Sequence, residues 1–208
     1  MSADEVSGAA RTVEPTTAPE REPRRRRSDA QRNIGAVAAA AKAVFAEVGV
    51  DAPMRQIASR AGVGVGTVYR HFPQRSDLVI AVFRHEVDEC AAAATTFAAD
   101  YPPGEALDRW LQRYLEFIAT KRGLHSALHS GDPAFEPLPA YFSEHLEPAL
   151  GMLLDAATAA GEIRASVGPA DLLSAVAMLS MPVGDNGDER AQRMVGLLVD
   201  GLRYGASR

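Results

Sequence analysis

The chain has one cysteine, Cys90, among 208 residues. That excludes an internal disulfide and makes a reducing cytoplasm the expected setting. No apolar run approaches the ~20 residues needed to cross a bilayer, and the N-terminus lacks an apolar signal region, so no membrane association is expected. No segment sustains the alternation of a β-strand, and there is no internal repeat. Catalytic signatures are missing as well: no nucleophile elbow, no phosphate-binding loop and no complete metal motif. Cys90 lies in an alanine-rich helix end with no activating neighbour in sequence. The chain reads as an all-α soluble protein that is not an enzyme and needs no cofactor.

What is present is an uneven distribution of charge. Apolar residues make up 47% and charged residues 24%, an ordinary balance, and the length suits one sizeable core or a small domain plus a medium one. The formal net charge of −5 hides a split. Residues 24–85 carry 11 Lys and Arg against 4 acids, whereas residues 86–208 carry 9 against 18. A cationic segment joined to an anionic remainder suits a two-part protein whose first part meets nucleic acid.

The stretch Met54 to Phe72 lies inside the cationic segment. Ile57, Ala58 and Ala61 share one face of a short helix. Gly62-Val63-Gly64 breaks it, with Gly62 free to take positive φ, and a second short helix follows from about Val65 to His71. Two short helices joined by a glycine turn form a helix-turn-helix, whose second helix can enter the DNA major groove. Val63 and Val68 are expected inward. Gly66 and Thr67 let the backbone and a hydroxyl approach DNA, and Tyr69, Arg70 and His71 carry the polar tips. The glycines Gly62, Gly64 and Gly66 do not make a dinucleotide fingerprint, because a helix precedes them and the third spacing fails.

The run G-V-G-V-G-T-V-Y-R-H-F, followed by Pro73, Arg75, Asp77 and Leu78, resembles the helix-turn-helix of the TetR family of transcriptional repressors. V-F-A-E-V-G at Val44 to Gly49 and I-A-S-R-A-G at Ile57 to Gly62 keep that family's order and spacing. The pieces W-L-Q-R-Y at Trp110, A-T-K-R-G-L at Ala119 and A-G-E-I-R at Ala160 resemble the C-terminal domain of the SbtR-like subgroup. The resemblance implies a helix-turn-helix motif bounded by Pro53 and Phe72. It also implies a base or phosphate contact from Arg55, for which a plain surface arginine is the alternative. The full DNA-contacting set expected is Arg55, Val65, Gly66, Thr67, Tyr69, Arg70, His71 and Arg75, with Arg26 and Arg27 from an N-terminal arm.

Three regions follow. Residues 1–28 are expected to be a disordered tail closed by Arg24 to Arg27, which either tracks phosphates or is simply solvated. Residues 29–75 form a three-helix DNA-binding domain. Its first helix is capped by Ser28 or Asp29, with Ile34, Val37, Ala41, Val44 and Phe45 as core face, and Pro53 opens the second helix. Residues 76–208 form a helical regulatory and dimerisation domain that starts with a long helix from Ser76 to about Ala94.

In this second domain the aromatic stripes read either as packed core or as the wall of a ligand cavity. Trp110, Tyr114, His125, His129, Phe142 and Met178 are the lining candidates. His125 and His129, four apart, lack the partners of a metal site, and none is expected. Leu172, Val176 and Leu179, with Met194, Leu198 and Leu202, are expected to form a homodimer interface of four helices. The functional expectation is a sequence-specific regulator, a repressor released from a palindromic operator in double-stranded DNA by a small-molecule effector. The alternative is a constitutive DNA-binding dimer with no ligand switch.

Overall fold

The computed structural model describes residues 21–164, 167–181 and 187–204, with side chains from residue 34 onward except residue 188. Among the described residues the regular structure is helical throughout: α1 (Arg21–Val48), α2 (Met54–Ala61), α3 (Val65–His71), α4 (Arg75–Asp100), α5 (Pro103–Gly123), α6 (His125–Leu128), a 3-10 turn (Pro133–Phe135), α7 (Leu138–Ala159), α8 (Pro169–Leu179) and α9 (Gly187–Arg203).

The first helix begins earlier than Ser28 or Asp29. Its backbone is already helical at Arg21, so Arg24 to Arg27 continue α1 rather than precede it. No glycine or further proline interrupts residues 24–34, and arginine is a good helix former. Residues 1–20 of the expected tail, and the side chains of Arg26 and Arg27, lie outside what is described. Val37, Ala41, Val44 and Phe45 are buried as expected, but Ile34 is exposed at the edge of the domain.

The long helix also differs at both ends. The Asp77 carboxylate accepts from the Gln74 backbone N–H at 2.8 Å, so the start is capped around Gln74 and not by Ser76. The helix then continues past Ala94 to Asp100, because nothing before Tyr101-Pro102 opposes it. Tyr101 is held extended at φ −132° and ψ 154°, as a residue before proline must be, and the helix stops there.

α4 is the central rod. It packs against α1, α5 and α7. Its buried stripe of Leu78, Val79, Val82, Phe83, Val87, Cys90 and Ala94 therefore belongs to both parts of the molecule. Glu86 lies on this stripe and is almost fully buried. Its carboxylate accepts from Lys42 Nζ of α1 at 2.6 Å and lies 3.3 Å from Arg113 of α5. A buried charge needs such partners, and here they tie three helices at one point.

The rest of the second domain is closed by polar ties at chain turns. In the A-G-E-I-R segment, Gly161 takes φ +71° and brings the Glu162 carboxylate to the Gly104 N–H at 2.9 Å, at the start of α5. A side chain on residue 104 would meet that carboxylate. Arg203 of α9 donates to the Gly104 carbonyl at 3.2 Å, and the Arg164 N–H donates to the Leu202 carbonyl at 3.0 Å. One segment thus fixes the relative positions of α5, α7 and α9. Arg122 donates to the Ser180 carbonyl at 2.8 Å, securing the end of α8 to α5.

Candidate nucleic-acid interface

The site is built from a turn between two short helices. Ile57 and Ala58 bury the inner face of α2. The helix is ended by Gly62, whose φ of +69° lies in the left-handed region that an L side chain rarely adopts. Its N–H donates to Ser59 O at 3.2 Å, and the next N–H, of Val63, reaches back to Ala58 O at 3.0 Å, which satisfies the last carbonyls of α2. Pro53 is the residue before the first turn of α2, one place earlier than expected, and Gly64 holds the corresponding place before α3. Val68 is fully buried and anchors α3, while Phe72 closes its C-terminal end from inside.

With Val68 inward, the opposite face of α3 is fixed by helical geometry. Val65 and Tyr69 are exposed, Tyr69 by 53%. Gly66 and Arg70 are exposed too, Thr67 and His71 half-buried. A Cβ built on Gly66 would meet nothing, so the glycine leaves open space rather than relieving a clash inside the protein. Arg55 stands exposed on α2.

Charge favours an anion at this face. No Asp or Glu occurs anywhere from Pro53 to Gln74. Arg60 is held by the Glu47 carboxylate, with both oxygens at 2.7 Å. Arg55 and Arg70 have no carboxylate partner among the described residues. Arg75 is different: it is half-buried, and its guanidinium donates to the Val50 carbonyl. That bond pins the loop between α1 and α2 to the start of α4. Two or more of its remaining N–H groups are left for a phosphate. Sequence reasoning gave Arg75 only the phosphate role; the structural one depends on a contact between positions 25 apart.

The expected ligand-lining residues do not border one common cavity. Trp110 is fully buried, with its indole N–H donating to Cys90 O at 2.8 Å and its ring stacked on Tyr114 at 5.7 Å. Tyr114 stacks in turn on Phe117, and both lie against Phe142. Trp110 and Tyr114 are therefore core. Met178 is 74% exposed on the outside of α8. His125 and His129 are exposed, stacked on each other at 4.1 Å, and no cluster of three metal-ligating side chains occurs among the described residues. A cavity of about 280 Å3 does exist to one side of the aromatic core, lined by His129 and Phe142 together with Phe83, Lys121, Leu128, Phe135, Leu138, Pro139 and Ser143. His129 and Phe142 alone of the expected six border it. The signal for Phe135 was weak, because it sits in a Pro-rich connection with no helical period.

The expected dimer residues also divide. Leu172, Val176 and Leu202 are buried within this one chain, whereas Leu179 is exposed and Met194 and Leu198 are half-buried. Met194, Leu197, Leu198 and Gly201 recur at helical spacing on α9, and Leu197 is 63% exposed. Met178 and Met181, the latter 68% exposed, extend apolar surface at the end of α8. No helix among the described residues is long and apolar enough to cross a membrane.

Comparison with known proteins agrees with this geometry. Residues 37–82 match the family model of bacterial regulatory proteins of the tetR family, and residues 102–204 match the SbtR-like transcriptional regulator C-terminal domain. A TetR transcriptional regulator from Streptomyces coelicolor is 36% identical, with 82% of this chain and 98% of that chain covered and a TM-score of 0.70. A TetR transcription regulatory protein from Mycobacterium vanbaalenii is 37% identical over 86% of this chain and 99% of that chain, with a TM-score of 0.68. Among curated sequences, an HTH-type transcriptional regulator of Staphylococcus aureus strain USA300 is 31% identical over 108 residues, which is 51% of this chain and 58% of that protein. The chain thus spans little more than half the length of the curated relatives it matches. From the cationic two-helix head to the helical body behind it, the chain belongs to the TetR family of bacterial transcriptional regulators and carries an SbtR-like C-terminal domain.

Proposed function

We propose that the protein is a homodimeric, sequence-specific repressor that acts in the cytoplasm and leaves a palindromic operator when a small molecule occupies its C-terminal domain. The observation that carries the DNA-binding part is the face of α3. Tyr69 and Arg70 are exposed on a helix locked by Val68, on a segment free of acids, and Arg55 is exposed on α2. Arg70 reaches a guanine edge or a phosphate, Tyr69 a phosphate through its hydroxyl, and Gly66 and Thr67 permit close approach. Arg75 completes the grip while holding the α1–α2 loop, and Arg26 and Arg27 on the N-terminal extension of α1 add phosphate contacts.

One such head spans too few base pairs for specificity. Two heads paired through the outer faces of α8 and α9 would read two half-sites. Leu179, Met194 and Leu198 belong to that face together with Met178, Met181 and Leu197. Successive major grooves lie roughly 34–36 Å apart, which sets the separation of the two α3 helices. A ligand switches the protein only by binding better to a dimer with a different separation. α4, shared by both domains, is the element that would transmit the change.

The test is a mobility-shift titration on a duplex selected from a random pool by the protein itself. The reading requires affinity that falls with a log–log slope of about −0.9 per phosphate neutralised, and discrimination against scrambled sequence. Equal affinity for any duplex refutes it. A constitutive DNA-binding dimer is the second reading, favoured by the tight packing of Trp110, Tyr114, Phe117 and Phe142 through the centre of the domain. It stands if no small molecule raises the melting temperature.

A further inference from the structure

The cavity beside the aromatic core has a definite chemical character. Phe83, Phe135, Leu138 and Phe142 form its apolar walls. Its volume of about 280 Å3 lies at the lower edge of the usual range for ligand sites, roughly 300–1,000 Å3. The site is partly open to solvent, and a compact molecule matches its enclosed part. The polar lining is Lys121, His129 and Ser143, and no carboxylate lines it.

Lys121 sits near the end of α5 with its ammonium 5.9 Å from the Phe142 ring centroid, and it has no carboxylate partner among the described residues. His129 commits Nδ1 to the His125 carbonyl at 3.0 Å. A carbonyl only accepts, so the Nδ1 proton is used there. Ser143 supplies a hydroxyl that can donate. One cation, one neutral donor and phenylalanine walls match a single negative charge on an apolar body. A phosphate dianion would need more donors than these, and a cation would meet Lys121.

We propose that this cavity binds a compact organic carboxylate, with the carboxylate at Lys121 and Ser143 and an aromatic or branched aliphatic body against Phe83 and Phe142. The inference rests on the ligand-responsive reading above and names its effector class. Its place in the fold links it to the DNA head. Phe83 belongs to α4, and Phe135 borders both this cavity and the cleft that contains Val50 and Arg75. A body pressed on Phe135 acts on the wall next to the contact that pins the α1–α2 loop.

The test uses the full chain and three probes: benzoate, phenylacetate and 3-methylbutanoate, each paired with its neutral amide. Thermal melting is followed at millimolar ligand. At least one carboxylate should raise the melting temperature and bind about tenfold more tightly than its amide, the margin of a charge-assisted contact. Lys121 is exposed, so Lys121→Met folds normally and should abolish the preference while leaving the unliganded melting temperature unchanged. Equal effects of acid and amide, a preference that survives Lys121→Met, or no response to any carboxylate overturns the proposal. A mobility shift on a selected duplex separates the two readings. Intact DNA binding with no carboxylate response removes the effector class alone. Failure to bind any selected duplex, with a carboxylate-specific shift retained, removes the repressor and leaves the site.

Discussion

Among residues, Arg70 and Tyr69 on the one hand and Glu86 and Cys90 on the other respond to opposite pressures. The first two are exposed, so their removal costs the fold little. Arg70→Ala should weaken operator binding by about 1–3 kcal/mol, and Tyr69→Phe by less, with circular dichroism and melting unchanged. Mobility shift measures the first effect and thermal melting checks the second. Glu86 has the reverse profile. Glu86→Gln removes the carboxylate between Lys42 and Arg113, leaving Arg113 only the exposed Glu116 at 3.7 Å. Loss of one partner from a fully buried pair costs about 3–5 kcal/mol, and Lys42 is partly exposed, so ~2 kcal/mol by urea unfolding is the expected loss. Cys90 is fully buried, and burial pushes its thiol up from 9.0 to about 12. Below pH 9 both folded and unfolded chains hold the proton and the stability is complete. As pH rises from 9 towards 12 the unfolded chain releases the proton and the folded chain keeps it, so stability falls across that window. Iodoacetamide should leave Cys90 unmodified at neutral pH in the native protein and alkylate it in urea.

At the level of elements, the turn between α2 and α3 is where sequence and structure agree most closely, because its determinants are local. Gly62 must take positive φ, and Ile57, Ala58 and Val68 need only helical spacing to find the inside. Gly62→Ala should therefore lower stability by about 1 kcal/mol and reduce DNA affinity with it, since the angle of α3 depends on that turn. The ends of α4 were less legible. Its run of Ala and Thr after Cys90 contains no stop, and the stop that operates is the Tyr101-Pro102 pair. The start of α1 was misplaced because a run of arginines suggests a solvated arm as readily as a helix. The cavity was hardly legible at all. Aromatics at helical spacing look alike whether they fill a core, as Trp110 and Tyr114 do, or line a hollow, as Phe142 does. Glu86 could have been noticed as the one acid on an apolar stripe. Its partners, 44 and 27 residues away, could not.

For the whole molecule, the division of charge and the exposed apolar residues of α8 and α9 are what support the proposed two-headed assembly. The cationic head and the acidic body are both properties of the sequence, and the fold joins them through α4 and the Glu86 tie. Leu197→Glu places a charge on the outer face of α9 without touching the core, since that side chain is 63% exposed. It should convert the proposed dimer to a folded monomer in sedimentation experiments and abolish tight operator binding. In the proposed complex, two copies of α3, related by a two-fold axis, occupy successive major grooves. Hydroxyl-radical footprinting of the protein on its selected duplex tests it most directly. Two equal protected half-sites whose centres lie about 10 base pairs, or a multiple of that, apart are expected; a single protected segment, or uniform protection along the duplex, would refute the two-headed arrangement.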